Sequence, residues 1–348
     1  MSNKKIGEKG MLKGRKILVT GGAGFIGSEV VKQLCENNNY VRILDNFSSG
    51  KKEYIINDDN IEIIKGDICD EEVVSKAVKD QEYVIHLAAL PFIPDSYNYP
   101  KEFFQVNTLG SINVVWKSIQ SKTVDKLVHI STSEVYGTAK YVPMDEEHPT
   151  LPHSTYAVSK LAADRAVFTM HKEHGFPMTI IRPFNSFGPN VTQPYIIPEI
   201  INQLINGAEV LYLGNVESSR DFTFVSDTAR GILLALFSDK AVGQTINIGS
   251  GYDIKIKDLS YLIAKIMGKK IDIKIDPERY RPYDVNRLYS SNSKAKELIS
   301  WYPIVPLEEG LKRTIEWVKK SGLRLKDPFK GWTKPSYIKQ LRNMGGHI

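Results

Sequence analysis

The stretch KILVT at 16–20 runs directly into Gly21-Gly22-Ala23-Gly24-Phe25-Ile26-Gly27, and this junction restricts the fold more than any other part of the chain. A short apolar run bounded by glycines predicts a buried strand. Glycines at 21, 24 and 27 permit a tight turn, close approach of backbone amides to a ligand, and close packing of the helix that follows. Strand, glycine turn and helix N-terminus in that order form a site for a pyrophosphate; the competing reading is a turn that is merely tight.

Five further apolar runs repeat the strand signal: YVRILD, IEIIKGD, YVIHLAA, KLVHIST and PMTIIRP. Phe25 to Glu36, Glu71 to Lys79, Phe103 to Ser121 and Ser154 to His174 carry apolar residues at helical spacing and serve as right-handed crossovers. The expected fold is α/β, a doubly wound parallel sheet of the Rossmann type. After Arg182 the alternation loosens. Pro183, Pro189, Pro194 and Pro198 read as breaks, followed by a helix near Glu199 to Asn206 and a strand near Glu209 to Leu213. QTINIGS, 244–250, reads as a strand that returns to the main sheet. The chain therefore divides into a nucleotide-binding region over 14–190 with a returning segment near 222–250, an interleaved substrate-binding region over 191–322, and a peripheral tail over 323–348. A length of 348 residues with 42% hydrophobic composition suits two such cores.

A net charge of +6 invites a nucleic-acid reading, but the basic residues are scattered among 40 acidic ones, with no basic helix interleaved with aromatics and no zinc-finger spacing. A polyanionic small ligand accounts for the excess equally well. Cys35 and Cys69 read as two buried thiols rather than a disulfide. No run approaches membrane-spanning length, and the polar start lacks the apolar core of a signal peptide, so the expected location is the cytoplasm. His171 and His174 have no identifiable partner ligand and read as solvated; no metal is expected.

Asp45 closes the second strand, where its carboxylate can accept both ribose hydroxyls and repel a 2′-phosphate, which selects NAD over NADP. Asn46 opens a polar loop that is either solvated or in contact with adenosine. Asp67 either holds the adenine amino group or caps the next helix. Tyr156 and Lys160 lie one turn apart at the start of a helix, so the ammonium is expected to lower the phenol's pKa and prepare it to take a proton. A surface pair is the plain alternative. Ser131-Thr132-Ser133-Glu134 follows the strand KLVHIST at the edge where such sheets place ligands. Thr132 can orient a reacting oxygen, and Glu134 offers a second proton transfer unless it is only a loop ion pair.

TGGAGFIG, DNFSSGK, GDICD, HLAAL, STSEVYG, YAVSK, RPFNSFGP, RDFTFVSDTARG and NIGSG together resemble the extended short-chain dehydrogenase superfamily, in its branch of NAD-dependent nucleotide-sugar epimerases, dehydratases and decarboxylases. The resemblance runs from about Lys16 to Lys320. It implies that Thr132, Tyr156 and Lys160 are the catalytic set, joined by Ser133 and Glu134. It implies NAD contacts from Gly21, Gly24, Phe25, Ile26 and Gly27, from Asp45, Asn46, Asp67 and Ile68, from Leu87, Ala88 and Ala89, and from Tyr156 and Lys160. It assigns Asn185, Arg220 and Arg281 to the diphosphate of a nucleotide-sugar substrate, and it implies a homodimer through the helices near 103–121 and 154–174.

Members of this branch begin by oxidising the sugar at C4. A simple 4-epimerase needs no further acid or base and usually has a small or neutral residue where Glu134 stands. The resemblance of GTAKYVPMDEE and RYRPYDVNRLYSSNSKAKEL points to nucleotide-sugar 4,6-dehydratases of the legionaminic acid type, which eliminate water across C5 and C6. Where dTDP-glucose dehydratases carry an Asp-Glu pair, this chain has Ser133-Glu134, which leaves open the acid that protonates the departing C6 oxygen. UDP-glucuronate decarboxylases share Thr-Ser-Glu and remain the principal alternative, with Arg279 or Arg281 then available to a substrate carboxylate.

Overall fold

In the computed structural model, which describes residues 13–322, the opening strand forms as β1 (Lys16–Thr20) and passes into α1 (Phe25–Glu36). The alternation continues through β2 (Tyr40–Asp45), β3 (Ile61–Lys65), α2 (Glu71–Val78) and β4 (Tyr83–His86). Short helices α3 (Ile93–Ser96) and α4 (Pro100–Phe103) lead through a π-helical segment, Phe104–Gly110, into α5 (Ser111–Gln120). Then come β5 (Lys126–Ile130), α6 (Thr155–His174), β6 (Met178–Pro183) and β7 (Asn185–Phe187). The remainder is α7 (Ile196–Ile205), β8 (Val210–Leu213), β9 (Ser219–Phe224), α8 (Val225–Phe237), β10 (Thr245–Ile248), β11 (Asp253–Lys255), α9 (Ile256–Ile266), β12 (Asp272–Ile275), α10 (Ser293–Ile299) and α11 (Leu307–Ser321).

One parallel sheet runs β10-β6-β5-β4-β1-β2-β3. The expected return of QTINIGS is there, as β10 pairs with β6 through Thr245 opposite Ile180. The strand order reverses at β1, which has β2 on one side and β4 on the other, and this opens a crevice at the carboxyl ends of these parallel strands. The inner strands read as largely apolar runs because both faces are buried, while the edge strand β3 leaves Glu62, Ile63 and Lys65 exposed. In β1, Ile17 and Val19 enter one core with Val30, Ile232 and Leu236, while Leu18 enters the other with Val84, Val114 and Val167. A further core joins α7, β8, β9, α9 and α11 through Ile200, Leu213, Phe224, Ile263 and Leu311.

Four local expectations are corrected. Pro198 does not break the chain; it lies in the first turns of α7, where the missing N–H has no helical partner to lose, and the helix starts at Ile196 rather than Glu199. The stretch from Phe103 is not one α-helix but α4, the π segment and α5. Cys69 is half-buried, its Sγ donating to the Gln105 carbonyl at 3.5 Å, whereas Cys35 is buried; both are free thiols. His171 is not merely solvated, since its Nδ1 lies 2.8 Å from the Phe176 carbonyl at the end of α6. The tail over 323–348 lies outside the described residues. Among the described residues no helix is long and apolar enough to cross a membrane.

Candidate active site

The crevice is a cavity of about 400 Å³, and every residue expected to serve catalysis, cofactor or substrate lines it. At its nucleotide end Gly21 has φ +72° and donates its N–H to the Leu44 carbonyl at 2.8 Å. A Cβ at Gly21 would come within 2.8 Å of the Ala88 nitrogen, and one at Gly27 within 2.0 Å of the Gly21 oxygen. The first turn of α1 is therefore seated directly on the glycine turn, with its free N–H groups facing the cavity where a phosphate would lie. Gly27→Ala must push the helix off that turn. Dinucleotide affinity is expected to fall by about tenfold or more, a loss of at least roughly 1.4 kcal/mol, measured by titration calorimetry with NAD.

Asp45 is buried at the end of β2, its Oδ2 accepting from the Ala23 N–H at 2.9 Å and its Oδ1 from the Phe47 N–H at 2.8 Å. Two amides fix the carboxylate, and each oxygen keeps a lone pair for another donor such as a hydroxyl. Asp67 is held by the Asn46 side chain at 2.9 Å and the Cys69 N–H at 2.8 Å. Burial alone would raise its pKa, but these bonds outweigh it and hold the carboxyl below its ordinary value. The cap of α2 is Asp70, which accepts from the N–H groups of Glu72 and Val73. Asp67 is thus not a helix cap and stands in the cavity wall with Ile68, beside Leu87, Ala88 and Ala89 at the end of β4.

Beyond β5 the chain turns at Thr132, whose hydroxyl accepts from the Glu134 N–H at 3.2 Å and caps the short helical turn Ser133–Tyr136. That turn is anchored underneath. The Tyr136 hydroxyl donates to Asn247 at 2.8 Å and accepts from Arg182 at 3.0 Å, and Arg182 forks onto Asp164 of α6 at 2.9 and 3.1 Å. Glu134 is left 8% exposed, with its carboxylate in the cavity and making no hydrogen bond or ion pair among the described residues.

Ser154 caps α6 by accepting from the Ala157 N–H at 3.1 Å, which places Tyr156 in the first turn and Lys160 one turn on. The expected influence of Lys160 on the phenol is not what the geometry gives. Its Nζ donates to the Ile130 carbonyl at 2.6 Å, and burial lowers its own pKa to about 8. Burial raises the Tyr156 phenol to about 12; a hydrogen bond with Thr132 opposes this and the nearby charge of Glu134 adds to it.

At the far end Arg220 and Arg281 converge on one carboxylate, Asp284, at 3.3 and 3.5 Å. Arg279 is engaged elsewhere, with Glu199 at 2.8 Å and Asp276 at 3.3 Å. Arg279 and Arg281 both line the cavity. The Asn185 Oδ1 and Ser131 Oγ are buried with no hydrogen-bond partner among the described residues, and both residues line the cavity.

Sequence reading missed the brace between the two halves of the crevice. Asn107, in the π segment, accepts from the Leu90 N–H at 2.8 Å and donates to the Leu90 carbonyl at 3.1 Å and the Ser159 hydroxyl at 3.0 Å. Ser159 in turn donates to the Tyr156 carbonyl at 2.7 Å. Below it the Ser111 hydroxyl spends its proton on the Asn107 carbonyl, at 2.6 Å, so it must accept from His86 Nε2 at 2.8 Å. His86 Nδ1 is then the acceptor for the Thr20 hydroxyl at 2.7 Å. This requires a neutral ring, and burial, with the charge of Lys160, lowers the His86 pKa to about 3. The available signal was a polar side chain on the buried face of an apolar helix.

Residues 18–314 match the family model described as GDP-mannose 4,6 dehydratase. Similar proteins carry out three reactions. UDP-glucuronic acid decarboxylase 1 of Xenopus tropicalis is 32% identical over 323 residues, covering 88% of this chain and 72% of that one. A UDP-N-acetylglucosamine 4-epimerase from Methanobrevibacter ruminantium M1, solved in complex with UDP-N-acetylmuramic acid, is 34% identical with a TM-score of 0.82 over 89% of this chain and 100% of that one. A dTDP-glucose 4,6-dehydratase from Streptomyces venezuelae, solved with NAD bound, is 27% identical with a TM-score of 0.80 over 92% of this chain and 99% of that one. The glycine turn, Asp45 and the helix N-terminus fit that cofactor, and NAD is the dinucleotide of this site. With its seven-stranded parallel sheet and this cavity at the β1–β4 crevice, the chain belongs to the GDP-mannose 4,6-dehydratase family of extended short-chain dehydrogenases.

Proposed function

We propose that the protein is a nucleotide-sugar 4,6-dehydratase. The observation that carries the reading is Glu134, a buried carboxylate that faces the cavity beside Thr132 and Tyr156 with no structural partner of its own. Held by the turn from Gly21 to Gly27 and by Asp45, NAD would supply the acceptor for the C4 hydride and the source of the hydride that C6 receives in the same turnover. Thr132 orients the O4 hydroxyl, Tyr156 takes its proton, and Lys160 assists from one turn below. A carbonyl at C4 acidifies the C5 proton, which Glu134 removes as the C6 hydroxyl departs as water, protonated by Glu134, Ser133 or a water, and C5 takes a proton back as hydride arrives at C6. Asn185, Arg220 and Arg281 hold the diphosphate, a planar guanidinium being suited to phosphate oxygens. Residues 14–190 with 222–250 serve the cofactor and 191–322 serve the substrate. A test is to incubate the protein with UDP-glucuronate and with UDP-, GDP-, CDP- and dTDP-hexoses or N-acetylhexosamines and record product masses. Loss of water is expected. Loss of carbon dioxide, or an unchanged mass with altered configuration, overturns the reading in favour of decarboxylation or 4-epimerisation.

The protein acts as a homodimer in this reading. Phe104, Leu109 and Trp116 on the π segment and α5, and Val158 on α6, are 38%, 50%, 38% and 40% exposed, a run of large apolar side chains across two neighbouring helices. Exposed apolar patches of this kind mark contact surfaces, and the same helices from a second copy would cover them. Leu109→Glu with Trp116→Glu is expected to halve the mass measured by light scattering; an unchanged mass counts against this interface.

A further inference from the structure

We propose that His153 is a positioning residue that couples seating of the diphosphate by Arg220 and Arg281 to the placement of Tyr156. The inference rests on the reading of those arginines given above. His153 directly precedes Ser154, the cap of α6, so its backbone is set relative to Tyr156 three residues on. Its Nδ1 lies 3.1 Å from the Asp284 carbonyl, and because a carbonyl only accepts, the proton sits on Nδ1. Its ring stacks on Tyr283 with centroids 3.8 Å apart and planes 12° from parallel. Its Cδ2 edge abuts Gly137, at the end of the turn that carries Glu134; a Cβ there would come within 2.9 Å of it. One imidazole therefore touches the segment of the proposed C5 base, the segment of the tyrosine proposed to take the O4 proton, and the segment of the arginines proposed to bind phosphate.

The direction of coupling follows from Asp284. Its carboxylate accepts from Arg220 at 3.3 Å and from the Val285 N–H at 2.9 Å, and it is ion-paired with Arg281 at 3.5 Å. A diphosphate draws on the same two guanidiniums, so seating it redistributes the bonds of Asp284, and His153 holds the backbone carbonyl of that residue. A shift of even about 1 Å in a reacting group costs orders of magnitude in rate, so a tie of this kind acts on turnover more than on binding.

The experiment compares the unaltered protein, His153→Phe, Arg281→Ala and the double variant, each as the full chain with NAD. The assay uses the nucleotide-sugar turned over in the panel above, and UDP, GDP, CDP and dTDP serve as binding probes. His153→Phe keeps a ring against Tyr283 and loses the donor. It is expected to lower kcat by about tenfold or more while KM changes by less than about threefold and diphosphate affinity by less than about twofold. His153→Asn, which restores an N–H near the position of Nδ1, is expected to recover most of the loss, with thermal midpoints of both variants near that of the unaltered protein. In the double variant the loss in kcat is expected to fall short of the product of the single losses. Losses that simply multiply while a diphosphate binds well overturn the coupling alone. Failure of every diphosphate to bind the unaltered protein removes the reading of the arginines and the coupling with it. Equal losses in His153→Phe and His153→Asn, accompanied by a lowered thermal midpoint, show a stabilising stack instead.

Discussion

Tyr156→Phe is expected to lower turnover by about three to four orders of magnitude while the fold and NAD affinity persist. The substitution removes one oxygen. The ring survives, and so does its edge-on contact with Phe103, whose centroid lies 6.3 Å away. The carbonyl of residue 156 still accepts from Ser159, so the brace through Asn107 is unaffected. What is lost is the group able to take the O4 proton, and general base catalysis is worth about 10²–10⁴ in rate, or roughly 3–5 kcal/mol at 1.36 kcal/mol per decade. The phenol is raised to about 12 by burial, so it holds its proton at neutral pH in the cavity without ligands, and its use as a base depends on the charges that substrate and cofactor bring beside it. Single-turnover assays report the chemical step, and calorimetry with NAD reports the site. A protein that only senses the dinucleotide would be indifferent to the change, so undiminished turnover or an absent difference between the two forms would remove the catalytic assignment.

The parallel sheet was legible because burial on both faces imposes a simple code. Strands such as β1 and β5 must carry apolar residues toward both faces, as Ile17, Leu18 and Val19 and Leu127, Val128 and Ile130 do, and glycines must stand where α1 meets the turn. The residues of the cavity were legible for a related reason, since they follow the carboxyl ends of those strands, where the crevice has to open. Interactions between distant segments were not. Nothing local to Asp284 indicates that Arg220, 64 residues away, will meet it beside Arg281, and nothing local to Lys160 shows that the Ile130 carbonyl will take its ammonium. Asp67 and Asp70 are equally good caps by composition. The start of α2 at Glu71 decides between them, and it freed Asp67 for the cavity. Pro198 was misread because a proline stops a helix only from the interior, and the three-residue difference in the start of α7 turns a break into a tolerated first turn.

Glu134→Gln is expected to stop product formation at an intermediate stage rather than at the outset. The amide is nearly isosteric, and the bond that shapes the turn runs from the backbone N–H of residue 134 to Thr132, so the Ser133–Tyr136 geometry persists. Removing the carboxylate also removes a charge that raises the Tyr156 phenol, so proton removal from O4 is not impeded and becomes somewhat easier. The amide cannot accept the C5 proton. Water loss is therefore expected to slow by about 10²–10⁴ while C4 oxidation continues. Reduced cofactor should accumulate, visible by its near-ultraviolet absorbance, and deuterium from heavy water should no longer enter the sugar at C5. The three reactions of the family separate on this one variant. A dehydratase stalls after oxidation, and a 4-epimerase, which needs no C5 base, keeps turning over without exchange at C5. A decarboxylase releases carbon dioxide without removing the C5 proton, and a solvent proton then replaces the carboxyl at C5, so its turnover on UDP-glucuronate would continue and each product would carry one solvent deuterium at C5. Retention of dehydratase rate within about tenfold would leave Glu134 a structural carboxylate and take away the observation on which the choice of reaction depends.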